Sequence, residues 1–101
     1  MVDINRLPKK GFGFIYKYTS PNGKIYVGQT TTSLVQRSGK RGKQYFGCPV
    51  FYKAIIKYGF ENFTPDILEE CKISELNDRE QMYIEKLNTL IPYGYNVKDG
   101  G

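Results

Sequence analysis

A carboxylate on the apolar side of a helix is the first residue of this chain that suggests chemistry. The segment Ser74–Asn88 has helical periodicity, and at about 100° per residue its apolar side chains form one stripe: Leu76, Tyr83, Ile84 and Leu87. Glu80 falls inside this stripe, while the other acids of the helix project elsewhere. Burying a carboxylate is costly unless a partner satisfies it. The partner is either an internal cation such as Arg37 or a divalent metal ion, since Mg²⁺ prefers oxygen ligands.

Positive charge is concentrated in the first half of the chain. Residues 1–58 contain eleven Lys and Arg against one acid, whereas residues 59–101 contain four against nine. The formal net charge of +5 is therefore the sum of about +10 and about −5. A basic half with interleaved aromatic residues is typical of phosphate-binding surfaces, although a charge run alone more often marks a solvated face.

The rest of the composition limits the possible chemistry. The chain has 101 residues, which corresponds to one domain. It has no histidine and only two cysteines, Cys48 and Cys71, so a His-based triad, a structural zinc site and a disulfide scaffold are excluded. No apolar run is long enough to cross a bilayer and no secretory signal is found at the N-terminus, so we expect a cytoplasmic protein without a membrane partner.

A β-hairpin is predicted at the start of the folded region. Phe12–Tyr18 alternates as a half-buried strand does, and Ile25–Gln29 is rich in β-forming residues. A three-residue loop over positions 21–23 would place the tyrosines of both strands on one face, with Tyr18 opposite Tyr26 and Tyr16 opposite Gly28. A two-residue Asn-Gly loop is the alternative and would place Tyr16 and Tyr26 on opposite faces. The three-residue loop is favoured because a proline suits its first position.

Three helices and a further strand are predicted downstream. A short helix capped by Thr32 or Ser33 precedes Ser38–Gln44, which is basic and glycine-rich and is interpreted as a mobile loop. Pro49 and Gly59 bracket a helix over Pro49–Tyr58 with the apolar stripe Val50, Ala54, Ile55 and Tyr58. Phe63–Glu70 predicts a third strand, and Pro65 within it indicates either an edge position or a late start of the strand. With the last helix, capped by Ser74, the order is β-β-α-α-β-α.

Several motifs occur in an order that resembles the GIY-YIG nuclease domains. The run Gly13-Phe14-Ile15-Tyr16 is followed after nine residues by Tyr26-Val27-Gly28, which is similar to the paired signature of that family. Arg37 on the first helix, Glu80 on a later helix and Asn96 in Gly94-Tyr95-Asn96 have suitable intervals. The resemblance covers residues 12–97, so residues 1–11 are interpreted as a polar lead-in and residues 98–101 as a tail or the truncated start of a linker.

The resemblance implies a fold, a function and a set of site residues. The fold is a small α+β domain in which helices flank a three-stranded antiparallel sheet. The function is divalent-metal-dependent DNA cleavage, as in phage and intron homing endonucleases, within a phage-infected or bacterial host cell. The residues implied as catalytic are Tyr16, Tyr26, Arg37, Glu80 and Asn96, with Glu80 holding one Mg²⁺ or Mn²⁺ ion. The residues expected to contact DNA are Lys24, Gly28, Lys40, Arg41 and Lys43, where the glycine would let a phosphate approach the strand.

The expected mechanism gives each side chain a role. Glu80 holds the metal ion against the scissile phosphate and the leaving 3′ oxygen, and Arg37 stabilises the pentacoordinate phosphorus. Tyr16 acts as general base, directly or through Tyr26. Because a phenol with a pKa of about 10 is a poor base at neutral pH, a neighbouring cation such as Arg37 must lower that pKa; Lys24 and Arg41 are the other candidates.

Simpler interpretations stand beside this mechanism. Strand tyrosines usually serve cross-strand packing, and Asn96 is either a site-shaping residue or only a turn residue. Two departures from the family also matter: Phe14 replaces a glycine of the first motif, and Arg41 stands where some relatives have a histidine. An imidazole base is therefore not available.

Two other functions are open. One is a non-catalytic nucleic-acid-binding module on the same scaffold, which would use the basic half alone. The other is an RNA-binding or ribosome-associated protein, which would leave the position of Glu80 unexplained. As a nuclease the chain is expected to be a monomer alone, so double-strand cleavage would require dimerisation on DNA or successive nicks.

Overall fold

One antiparallel sheet with helices against both faces forms the protein in the computed structural model, which describes residues 2–97. The main elements in chain order are β1 (Phe12–Thr19), β2 (Ile25–Thr30), α1 (Leu34–Ser38), a 3₁₀ segment (Lys40–Gly47), α2 (Pro49–Tyr58), β3 (Thr64–Lys72) and α3 (Leu76–Leu87). Short 3₁₀ turns at Phe60–Asn62 and Ile73–Glu75 precede β3 and α3. This order confirms the expected α+β fold with a three-stranded antiparallel sheet.

The strand order β2-β1-β3 makes β1 the central strand. Because β3 lies at an edge, which is the first of the two predicted alternatives, Pro65 can lack its N–H without breaking an inner ladder. The pairing of β1 with β3 shifts at Ile15/Tyr16, which is a β-bulge in the middle of the sheet.

The hairpin has the predicted three-residue loop. Tyr16 pairs with Gly28 and Tyr18 with Tyr26, which confirms the register. The Gly23 N–H donates to the Ser20 carbonyl at 2.9 Å, and Gly23 has a φ of 88°, the left-handed value that this position requires.

The sheet separates two apolar clusters, because neighbouring side chains of a strand point to opposite faces. One face carries the aromatic side chains Phe14, Tyr16, Tyr18 and Tyr26, which pack against Tyr45 and Phe51. The other face carries Ile15 and Val27, which pack with Cys71 and with Leu76 and Ile84 of α3. We call these the tyrosine face and the α3 face.

Local sequence signals explain the helix limits. Ser33 caps α1 because its side chain accepts a hydrogen bond from the Gln36 N–H. The Gln36 side chain in turn accepts a hydrogen bond from the Ser33 N–H. Proline at the start of α2 and Gly59 with a φ of 83° at its end give the predicted limits of Pro49–Tyr58.

Four sequence predictions require correction. The buried stripe of α2 is Phe51, Ala54 and Ile55, because the Phe51 ring stacks on Tyr26 with centroids 4.1 Å apart, while Val50 and Tyr58 are half-buried. The predicted mobile loop Ser38–Gln44 largely falls in the 3₁₀ segment, which the buried Tyr45 anchors.

The other two corrections concern element limits. Ser74 lies in a 3₁₀ turn instead of capping α3, whose first residue is Leu76. Strand β3 ends at Lys72, two residues beyond the prediction, and begins at Thr64.

Residues 2–11 contribute little regular structure. In the predicted lead-in, Arg6 pairs with Glu70 of β3 at 3.1 Å and the Lys9 N–H donates to the same carboxylate at 2.8 Å. The predicted tail, residues 98–101, lies outside the described residues. Within residues 2–97, no helix combines the length and apolarity that crossing a bilayer requires.

Candidate active site

The tyrosine face holds a network of buried hydroxyl groups. Tyr16 is fully buried, and its Oη lies 2.6 Å from the Oη of Tyr45. The Oη of Tyr18 lies 2.8 Å from the Ser38 Oγ, and that of Tyr26 lies 3.7 Å from the Cys48 Sγ. The phenols are thus bonded to other protein groups.

Burial determines how these phenols titrate. It raises the pKa of Tyr16 well above the ordinary value of 10.0, and the neighbouring phenols raise it further. The charge of Arg37 lowers the pKa of Tyr16, but this is the weakest of the contributions. Burial also raises the pKa of Tyr26 and of Tyr45. The expected lowering of the Tyr16 pKa is therefore wrong, and these phenols are neutral at neutral pH.

Arg37 is fixed on the aromatic network. Its guanidinium carbon lies 4.5 Å from the centroid of the Tyr45 ring, and its Nη1 donates to the Gln44 carbonyl at 3.4 Å. The side chain is half-buried, so part of it remains accessible. Its charge lowers the pKa of both Tyr16 and Glu80, which places it within electrostatic reach of both faces.

Glu80 lies on the α3 face with one neutral partner. Only 7% of the residue is exposed, and its Oε1 accepts a hydrogen bond from the Gln29 Nε2 at 3.2 Å. The same Nε2 donates to the Asn77 Oδ1 at 2.9 Å. Burial raises the pKa of Glu80, against the opposing effects of the Gln29 bond and the Arg37 charge.

The predicted alternative, an ion pair between Glu80 and Arg37, is not formed. In the part of the chain that the structure describes, the two ion pairs join Arg6 to Glu70 and Arg79 to Glu69. Glu80 is therefore a desolvated carboxylate that forms no ion pair with a side chain of residues 2–97.

Within residues 2–97, the hydrogen bond of Glu80 is to Gln29 and not to a tyrosine hydroxyl. Gln29, which bonds to Glu80, is next to Gly28 on β2, but adjacent strand residues point to opposite faces. Arg37 follows β2 on α1 and acts electrostatically on both groups. The structure thus brings Glu80 and Arg37 to the end of β2, but it does not bring the Tyr16 or Tyr26 hydroxyl into contact with Glu80.

The side-chain amide of Asn96 is hydrogen-bonded within the protein. Its Oδ1 accepts from the Val27 N–H at 2.8 Å and from the Thr89 Oγ1 at 2.7 Å, and its Nδ2 donates to the Val27 carbonyl at 2.8 Å. At the outer edge of β2, the amide thus makes the hydrogen bonds that a neighbouring strand would make. The side chain is fully buried and positions β2, which fits a site-shaping residue, and a catalytic role for Asn96 stays a prediction.

Replacing Asn96 with alanine should lower the free energy of unfolding by about 3 kcal/mol, because the buried N–H and C=O of Val27 lose their partners. Urea unfolding measures this change. Asn5→Ala, at an exposed position, is the control and should change stability by less than about 0.5 kcal/mol. Equal effects of the two substitutions would contradict the positioning role.

Gly28 makes room for Tyr16. A Cβ at position 28 would lie 2.5 Å from the Tyr16 Oη and 2.6 Å from its Cζ, so the phenol ring covers this glycine. On the tyrosine face the ring occupies the space beside Gly28, and the predicted contact of Gly28 with a phosphate stays a prediction.

Gly28→Ala should lower the free energy of unfolding by about 1–3 kcal/mol, because the Tyr16 ring must move within a packed core. Gly47→Ala is a matched control, since a Cβ there would meet nothing within 4 Å. Thermal unfolding of both variants compares them. A Gly28→Ala protein as stable as Gly47→Ala would show that the ring does not need this space.

The predicted DNA contacts lie on two surfaces. Lys40, Arg41 and Lys43 are exposed on the 3₁₀ segment that carries Tyr45, and Arg41 has a left-handed φ of 55°. Lys24 is exposed beside the hairpin loop. The contacts of these residues with DNA remain predictions.

Three residues of the site were not found from the sequence. Tyr45 contacts both Tyr16 and Arg37. The sequence feature that could have indicated this residue was an aromatic side chain within a basic, glycine-rich segment. Gln29 has the strand parity of Val27, so a polar side chain on the α3 face was readable from the alternation. Asn77 precedes Glu80 by three residues, the spacing of neighbours on one helix face.

Comparison of the chain with protein-family models, curated proteins and solved structures finds no match. The resemblance to the GIY-YIG domains therefore rests on the motifs named above.

Proposed function

We propose that this chain is a divalent-metal-dependent DNA endonuclease of the GIY-YIG type. The observation that carries the proposal is Glu80, a carboxylate that is only 7% exposed and has no ion pair within the described residues 2–97. Retaining an ionised group in such a place is costly, and a bound cation would offset the cost.

The groups around Glu80 suit a hard cation. The Glu80 Oε1 and the Asn77 Oδ1 both lie within 3.2 Å of the Gln29 Nε2, and rotation of the Gln29 amide would add a third oxygen. Oxygen ligands suit Mg²⁺ or Mn²⁺. Among the described residues no group of three His, Cys, Asp or Glu is found, so we propose one ion with Glu80 as its carboxylate ligand. When bound, it would supply Lewis-acid activation of a phosphate.

Arg37 provides the second positive group. Its planar guanidinium rests on the Tyr45 ring at 4.5 Å, which limits its orientations and leaves it ready to donate to phosphate oxygens. In the transition state of hydrolysis, negative charge grows on these oxygens, and a fixed donor stabilises it without reorganisation.

The tyrosines act through Arg37 in this proposal. The Tyr16 hydroxyl contacts the Tyr45 hydroxyl at 2.6 Å, and the Tyr45 ring supports the guanidinium. Because burial keeps Tyr16 neutral, it is a positioning residue and not the general base. The basic 3₁₀ segment, with Lys40, Arg41 and Lys43, would bind DNA phosphates beside this site.

One observation favours a non-catalytic nucleic-acid-binding module instead. The hydroxyl groups of Tyr16 and Tyr26 are buried with raised pKa values, so neither phenol is suited to accept a proton from water. A binding module would need only the cations of residues 1–58.

Incubation of supercoiled plasmid with the purified chain tests both functions. Nicked or linear product that depends on Mg²⁺ or Mn²⁺ and disappears with EDTA supports the endonuclease. Retention of plasmid in a gel-shift assay without any cleavage in either metal supports the binding module. Neither cleavage nor binding would contradict both.

A further inference from the structure

A second basic feature lies away from Glu80 and Arg37. A cleft of about 220 Å³ opens between the hairpin loop and α2, and its walls include Asn22, Lys24, Lys53, Lys57, Tyr58 and Tyr95. We call it the lysine cleft. Lys53 and Lys57 are not among the residues that the sequence motifs indicated.

Within residues 2–97, no ion pair balances the charges of the lysine cleft. None of the lining residues is acidic, and α2 itself contains no acid. Neither of the ion pairs within residues 2–97 involves Lys24, Lys53 or Lys57. Lysines four residues apart on a helix repel each other, so their placement here disfavours the isolated helix. An anion in the cleft would relieve this repulsion.

One wall of the cleft, formed by the hairpin loop and Tyr95, is held in place before any ligand binds. The Tyr95 Oη donates to the Ser20 Oγ at 2.9 Å and to the Asn22 Oδ1 at 3.3 Å. The Lys24 N–H donates to the same Asn22 oxygen at 3.0 Å. These bonds join the hairpin loop to the segment that carries Tyr95, so the backbone on this side of the cleft needs little ordering when a ligand enters.

We propose that the lysine cleft binds a phosphate group of a DNA backbone. Lysine ammonium groups bind phosphate as point charges without reading base edges, which suits a contact that positions the duplex. Lys24 directly precedes β2 and lies six residues before its last residue, Thr30, so the cleft lies about 20 Å from the end of the strand that leads to Arg37. This inference rests on the proposed function, because that function makes DNA the molecule that supplies the phosphate group.

A triple substitution tests the cleft. Lys24→Gln, Lys53→Gln and Lys57→Gln are combined, and the matched control combines Lys9→Gln, Lys72→Gln and Lys86→Gln, which removes the same charge elsewhere. Affinity for duplex DNA is measured in EDTA over a series of salt concentrations. We expect about tenfold weaker binding for the cleft variant than for the control, and a salt slope smaller by about one for each lost phosphate contact.

The possible outcomes separate this inference from the proposed function. If the cleft and control variants lose the same affinity for DNA, net charge alone explains the loss, and the proposal that the lysine cleft binds phosphate is overturned. A cleft variant that loses affinity for an acidic peptide but not for DNA would also overturn it. Because binding is measured without metal, a chain that shows the expected cleft effect but never cleaves DNA would overturn only the endonuclease. Circular dichroism of both variants excludes unfolding as the cause, and restoration by Lys→Arg at the three positions would support the cleft.

Discussion

Replacing Glu80 with glutamine should abolish metal-dependent cleavage and at the same time stabilise the metal-free protein. The amide keeps an oxygen for the bond from Gln29 but removes the charge that a divalent cation needs. We expect cleavage to fall by about 10³-fold, because the ion's contribution to the transition state is several kcal/mol. We expect the free energy of unfolding at neutral pH to rise by about 1 kcal/mol, because a desolvated charge is removed.

The gain in stability should depend on pH in a defined direction. Burial raises the pKa of Glu80 in the folded protein above the ordinary value of 4.5, which the unfolded chain keeps. At a pH between the unfolded and the folded pKa, the folded protein therefore binds more protons than the unfolded chain. The stability of the wild type therefore falls as pH rises through this window. Below 4.5 the carboxyl group is protonated in both states, and the difference from Glu80→Gln should vanish.

Urea unfolding of the metal-free proteins at about pH 4 and about pH 7 measures this effect. Glu85→Gln on the same helix is the control, because Glu85 is exposed and should change neither stability nor cleavage by much. A loss of stability in Glu80→Gln at neutral pH would indicate that the carboxylate is satisfied within the protein, and the metal would no longer be needed to explain it.

Arg37→Ala should lower cleavage by about 10²- to 10³-fold, because a fixed donor to the transition state is lost. Arg37→Lys should restore only a small part of this loss, since an ammonium group keeps the charge but neither stacks on Tyr45 nor donates in a fork. The loss of stability should be limited to about 1 kcal/mol, because the guanidinium is half-exposed and makes one cation–π contact.

Single-turnover nicking of plasmid, with DNA affinity measured separately, distinguishes the two effects of Arg37. Arg79→Lys is the control, since Arg79 neighbours Glu80 in sequence but pairs with Glu69 at 3.4 Å. If Arg37→Ala cleaves DNA at a rate within about threefold of the wild type, Arg37 does not act in the reaction.

The parts of the fold that the sequence predicted are those governed by local physics. The three-residue hairpin loop follows from the left-handed Gly23, and it determined the register that pairs Tyr16 with Gly28. Proline and glycine gave both limits of α2. Helical periodicity alone placed Glu80 on the buried side of α3, where the structure has it.

The parts that were missed depend on contacts distant in sequence. The raised pKa of Tyr16 results from packing of Tyr45 and α2 over the sheet, which no local pattern encodes. Asn96 bonds to Val27 across 69 positions, so its role at the edge of β2 could not be read from its own turn. Which helix covers which face of the sheet also depends on such distant contacts.

The central claim is that Glu80 is retained to bind a divalent cation. Anomalous diffraction from crystals of the wild-type chain soaked in Mn²⁺ tests it most directly. We predict a peak about 2.2 Å from a Glu80 carboxylate oxygen, with the Gln29 Nε2 displaced from its present 3.2 Å contact. A carboxylate that keeps the Gln29 bond and shows no neighbouring peak, at an Mn²⁺ concentration that saturates any cleavage in solution, would contradict the claim.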